Sequence, residues 1–256
     1  MDSDFARASR EQVRTFRSLE IAGTTSMDGA ALGRAMTRSA MSDPAWGTGA
    51  IGMISIEVPG GDAWLKSKWH LWWELPTRWR DDYTSIVSGT IVAIFRPDAA
   101  MQYVSQMQTL FTTEQLSASD KRPRVAAPKG FQIPSLDDRL EGVQVIRPLP
   151  DADWQFETLG QESYLGRSAR RVRATRRAGS PTDGFRVSGF WTGVDEYECV
   201  IDDELQIVLS LIAIVDGEPA ATISVEHVSV DQPIPASTFD FSPPAGTRMA
   251  QVGENK

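Results

Sequence analysis

His70, His227 and the lone cysteine, Cys199, are the residues of this 256-residue chain with the widest chemical repertoire. A thiolate nucleophile needs a base beside it, and neither histidine is close to Cys199 in sequence. The run Tyr197-Glu-Cys-Val-Ile201 instead reads as a strand carrying a small buried hydrophobe. With a single cysteine no intrachain disulfide can form, which excludes the disulfide-stapled class. Neither histidine lies at metal-ligand spacing from a second ligand, and HExxH and CxxC motifs are absent, so no metal site and no cofactor are expected. Each histidine sits on a β-patterned face beside bulky apolar residues, the setting of a hydrogen-bonded structural histidine. An enzyme built on either would need a neighbouring carboxylate.

The carboxylate pairs Asp81-Asp82, Asp137-Asp138 and Asp202-Asp203 fall in turns or at strand ends. Adjacent residues of an extended chain point to opposite sides, so such pairs cannot face one cleft as a glycosidase requires. Gly47-Thr-Gly-Ala-Ile-Gly52 has dinucleotide-like glycine spacing but precedes a strand instead of opening a helix. No nucleophile elbow or P-loop is present. A catalytic residue is therefore not assigned.

The tryptophans are the stronger signal. Trp64, Trp69, Trp72, Trp73 and Trp79 crowd into one short stretch. In Lys68-Trp-His-Leu-Trp-Trp-Glu74, period-two alternation puts Trp69, Leu71 and Trp73 on one face of a strand and His70, Trp72 and Glu74 on the other. Such a stripe can simply be sheet core. Aromatics on both faces also need cover on both, which an apolar ligand cavity would supply. The methionine-rich segment from Met27 to Met53 suits either use, since methionine adapts to irregular partners.

These residues must be positioned by a mainly β chain. Phe5, Ser9, Val13, Phe16 and Leu19 have helical spacing, and Met27, Leu32, Met36 and Met41 mark a looser second helix, so residues 3–45 are expected as a helical segment or lid. Strands are expected near Ile54–Ile56, 68–74, 77–83, 89–95, 143–147, 154–159, 164–176, 184–191, 197–215 and 220–230. Met101, Val104, Met107, Leu110 and Phe111 predict a helix over 101–116. Residues 117–139, with Pro123, Pro128 and Pro134, form a mobile excursion inside one domain spanning 1–256. Asp216-Gly217 is a hairpin turn. A phase change at Glu226-His227 predicts a bulge.

A net charge of -8 and a pI near 4.9 argue against nucleic acid as a partner. No apolar run is long enough for a transmembrane segment. The first residues lack the apolar stretch of an export signal, so the chain as it stands is expected in the cytoplasm, and outside it if a leader was removed.

Trp73-Glu-Leu-Pro-Thr-Arg-Trp-Arg80 followed by Gly89-Thr-Ile-Val-Ala-Ile-Phe-Arg-Pro97 resembles the LolA/LolB-like lipoprotein-carrier superfamily. That superfamily includes the RseB sensor domain and mycobacterial lipid-binding lipoproteins. Tyr164-Leu-Gly-Arg167, Arg171-Val-Arg-Ala-Thr175, Val200-Ile-Asp-Asp203 and Ile234 to Gly246 resemble further parts of its course. The resemblance implies an α+β, mainly β fold: a strongly curved antiparallel sheet, or half-open barrel, with helices covering its concave face. It also implies non-enzymatic binding of a lipid or other hydrophobic small molecule between sheet and helices, or a regulatory surface for a protein partner. Candidate wall residues are Trp69, Leu71, Trp72, Trp73 and Phe95, with Phe16, Met36 and Met41 as lid residues.

Overall fold

Among the described residues the chain forms twelve strands, several of them with alternating burial. A computed structural model describes residues 15–42, 64–114 except 76 and 87, 122–127, 154–177 and 193–252. The strands are β1 (Ser18–Asp28), β2 (Trp64–Glu74), β3 (Arg78–Ser85), β4 (Gly89–Arg96), β5 (Ala99–Val104), β6 (Thr109–Thr112), β7 (Trp154–Tyr164), β8 (Arg167–Arg176), β9 (Glu196–Asp202), β10 (Val208–Val215), β11 (Glu218–Val230) and β12 (Arg248–Gln251). One α-helix, α1 (Gly29–Ser42), and a 3-10 turn at Ala236–Phe239 complete the described elements. The sheet order is β12-β6-β5-β4-β3-β2-β1-β11-β10-β9-β8-β7, with β12 parallel to β6, and with neighbours antiparallel from β2 through β6 and from β7 through β11. The fold is thus mainly β, as expected. The sheet is neither closed nor strongly curled, so the expected strongly curved half-open barrel is corrected to an open mixed sheet.

Two helical expectations are also corrected. Leu19 and Ile21 belong to β1 and are wholly buried, with burial alternating along the strand in place of a helical stripe. In place of the helix expected over 101–116, the described residues form a hairpin of β5 and β6, turned at Ser105–Gln108, where Gln108 has φ 45°. Its three-residue apolar spacing arose because two strands and a four-residue turn happen to repeat at that interval. The expected strands near Ile54–Ile56, 143–147 and 184–191 lie outside the described residues, as does most of the excursion 117–139. Within that excursion Val125 N–H donates to the Met249 carbonyl at 2.8 Å, and Met249 N–H donates to the Pro123 carbonyl at 2.8 Å.

The chain divides into two compact units, Met1–Thr15, Thr24–Lys66 and Leu140–Glu226 in the first, and Phe16–Gly23, Ser67–Arg139 and His227–Lys256 in the second. In the first, β7 and β8 turn through Leu165-Gly166, and β10 and β11 through Asp216-Gly217, all four at positive φ. That is the primed-turn backbone whose twist matches paired strands. In β8 Ala169, Val172 and Ala174 are buried, Arg171 is exposed and the other arginines are half-buried. There Arg173 meets Glu196 and Glu198 at 3.1 and 3.0 Å, Arg171 meets Glu162 at 2.8 Å, and Arg170 meets Asp203 at 3.0 Å. Gly193, at φ +76°, lies so close to α1 that a Cβ there would stand 2.1 Å from the Ala35 carbonyl oxygen.

Candidate functional site

The second unit holds the tryptophan strand. Its alternation is realised as the spacing predicts: Leu71 and Trp73 are buried and Trp69 half-buried on one face, while His70, Trp72 and Glu74 lie on the other. Directly paired residues of antiparallel strands share a face. Trp73 pairs with Trp79, Trp79 with Phe95 and Phe95 with Ala100, which draws one aromatic row across β2, β3 and β4. The Trp79 and Phe95 rings are parallel within 4°, their centroids 6.3 Å apart. Trp73 and Trp79 are buried to 1% and 0% exposure, whereas Phe95 is half-buried. Trp69 pairs with Tyr83 and Leu71 with Asp81 on this same face. Phe95 also packs on a cluster of Ala100, Phe111, Ala250 and Val252, joined by Val125 and Ala127.

The opposite face is filled by the chain's own closing segment. Phe239 of the 3-10 turn joins Val92, Ile94, Met101, Tyr103, Leu110 and Met249, and Trp72, Ile234 and Phe241 pack against them. Arg80 holds the segment in place. Its guanidinium donates to the Thr238 carbonyl at 2.8 Å and the Asp240 carbonyl at 3.3 Å, and to both carboxylate oxygens of Asp82 at 2.7 Å. It also lies over the Trp72 ring, 5.4 Å from the centroid, as Arg78 lies 4.7 Å from the centroid of Phe239. The Phe239-x-Phe241 spacing is the sequence signal that this segment packs on the sheet.

Both histidines share this polar side of the unit. His70 Nε2 is 2.9 Å from Glu20 Oε1, and His227 Nε2 is 4.0 Å from the same oxygen. His70 stacks on Trp72 with centroids 3.5 Å apart. Burial pushes the His70 imidazole below its ordinary 6.5, and it outweighs the opposing hydrogen bond and charge of Glu20. The ring is therefore neutral at pH 7, and the tautomer protonated at Nε2 donates to Glu20. This is the hydrogen bond of a structural histidine. Glu20, fifty residues from His70 along the chain, was missed because only pairing of β1 beside β2 brings it there. Among the described residues no group of three or more His, Cys, Asp or Glu could hold a metal ion. Cys199 is buried, and burial pushes its thiol up to about 12.

The expected wall residues Trp69, Leu71, Trp73 and Phe95 are brought together on one face of the sheet. Trp72 is not; it belongs to the opposite face, against the closing segment. Phe16 is buried just before β1, on no helix. Met36 and Met41 are on α1, and their side chains lie outside the described residues.

Solved structures match the chain over most of its length. The MucA/MucB complex of Pseudomonas aeruginosa matches with 9% identity and a TM-score of 0.48, covering 94% of this chain and 60% of that one. The chain thus spans about three fifths of MucB. The Mycobacterium tuberculosis lipoprotein LppX matches with 10% identity and a TM-score of 0.43, covering 91% and 96% of the two chains. LprF from Mycobacterium bovis matches with 9% identity and a TM-score of 0.43, covering 96% of each. No family model matches the chain, and no curated protein matches it in sequence.

Proposed function

We propose that the protein is a non-enzymatic binding protein whose aromatic face in the second unit takes a lipid or another hydrophobic small molecule. The observation that carries this reading is the row Trp73-Trp79-Phe95, flanked by half-buried Trp69 and Tyr83, on the face opposite the one that the closing segment packs. Stacked rings offer a wide apolar surface at little cost in rotamer entropy, and burial against them is worth about 25 cal/mol per Å² before binding losses. Phe16, Leu71 and Phe95 extend the apolar character of that unit.

The test is native mass spectrometry with solvent extraction of the purified protein, followed by displacement of a fluorescent acyl ligand. A co-purifying lipid, and a Kd raised about tenfold or more by Trp69→Ala, are expected, since an aromatic of this size contributes at least about 1.4 kcal/mol when buried. Trp64→Ala, on the strand end that belongs to the other unit, leaves the Kd unchanged. An empty protein that ignores acyl ligands while retaining a stable protein partner would replace this reading by a regulatory interaction module.

A further inference from the structure

The indole N–H of Trp73 is a buried donor of the aromatic row whose situation calls for explanation. Trp73 is 1% exposed, its Nε1 is sealed from solvent, and that nitrogen has no hydrogen-bond acceptor among the described residues. Buried donors in native proteins are almost always paired, and an orphan at a binding surface is a donor held ready for a partner outside the chain. Tryptophan where phenylalanine would fill the same row without an orphan N–H points the same way.

The charges on this face narrow the partner. Across β2 to β5 of the second unit its residues run Ser67, Trp69, Leu71 and Trp73; Trp79, Asp81, Tyr83 and Ser85; Gly89, Ile91, Ala93 and Phe95; then Ala100, Gln102 and Val104. Asp81, paired with Leu71 one step along from Trp73 and Trp79, is its only charged side chain among the described residues of those strands, and no Lys or Arg appears. Lys66, Lys68, Arg78, Arg80 and Arg96 all fall on the alternate face. Among the described residues of β2 to β5, a ligand carboxylate placed beside Trp73 would meet a like charge and no cation in a poorly solvated setting. A neutral carbonyl meets neither obstacle.

Resting on the proposed lipid-binding reading, we infer that Trp73 is the polar anchor of the site, and that its Nε1–H donates to a neutral ester or amide carbonyl of an apolar ligand. The tryptophan row binds the chain by area, and this single donor selects for the acceptor. One neutral hydrogen bond discriminates by about tenfold.

The experiment titrates the full chain with hexadecane, methyl hexadecanoate and hexadecanoate, and follows the Trp73 indole cross-peak in a ¹⁵N-edited spectrum, assigned by Trp73→Phe. The methyl ester binds about tenfold tighter than hexadecane and tighter than the free acid, and it alone moves the Trp73 indole proton downfield. Incorporation of 3-benzothienylalanine at position 73, which keeps the ring shape and removes the N–H, brings ester and hydrocarbon to within about twofold of each other. Equal binding of ester and hydrocarbon by the native protein, or a preference that survives loss of the N–H, overturns the anchor while leaving the lipid reading intact. Tighter binding of the free acid overturns the neutral-carbonyl assignment. Binding of none of the three overturns the lipid reading itself.

Discussion

Truncating Phe239 tests whether the closing segment is part of the core. Phe239 is 1% exposed and packs with Val92, Ile94, Met101, Tyr103, Leu110 and Met249, with the Arg78 guanidinium over its ring. Phe239→Ala removes the ring from a site whose walls are sheet side chains fixed by strand pairing, so little collapse can refill it. Buried Phe→Ala substitutions of this kind cost about 3–5 kcal/mol. The cation-π contact adds about 0.5–1 kcal/mol because Arg78 is not desolvated. For a chain of this size each kcal/mol moves Tm by about 2–4 °C, so the combined loss of about 3.5–6 kcal/mol is expected to lower it by roughly 7–24 °C. Thermal melting by circular dichroism and the urea midpoint report it, and Ile86→Ala, at a position 70% exposed, serves as control and stays within about 0.5 kcal/mol. The variant also exposes the 233–247 segment to limited proteolysis, because Arg80 holds it only through the Thr238 and Asp240 carbonyls. A melting temperature within about 2 °C of the native protein would show that the segment lies on the sheet without completing its core.

Gly193→Ala places a methyl 2.1 Å from the Ala35 carbonyl oxygen at φ +76° and is expected to cost at least about 2 kcal/mol, whereas Gly217→Ala, at φ +80° with open space around it, costs about 1 kcal/mol; urea midpoints separate the two. Cys199 resists a thiol reagent at about pH 8 in the native protein and reacts fully once unfolded, because burial pushes the thiol up to about 12; prompt native labelling would refute its burial. His70 has a folded-state pKa lowered by burial, so the unfolded chain takes up a proton that the folded chain refuses as pH falls below 6.5. Stability present above that value is lost as pH drops through the lowered pKa, with Glu20, Asp82 and His227 as the facing charges. Between about pH 7.5 and 5.5 the native Tm falls more than that of His70→Gln, and equal slopes would refute the assignment.

Local features of the chain were legible where one strand or one turn contains the whole signal. The two-faced tryptophan strand, the Asp216-Gly217 hairpin and the Arg/small alternation of β8 each depend on neighbours one to four residues away. Helical spacing at Leu19 and over 101–116 misled for the same reason. A three- or four-residue apolar interval is produced equally by a helix and by strands meeting at a turn, and pairing with other strands decides between them. Four of the candidate wall residues share a face because β-alternation and register put them there. Trp72 was separated from them by the alternation that placed it on the strand.

By itself, then, the amino-acid sequence determined a mainly β chain, an acidic surface, a cysteine without a disulfide and an aromatic strand with two distinct faces. These follow from composition and from the period-two geometry of an extended backbone, which needs no partner to be read. Only the tertiary structure decided which face is filled by the chain's own last residues, that Glu20 stands between His70 and His227, and that Trp73 is buried with its N–H unanswered among the described residues. Each of those depends on contacts between residues tens to hundreds of positions apart, and such contacts are set by register across the sheet, not by any local run of residues.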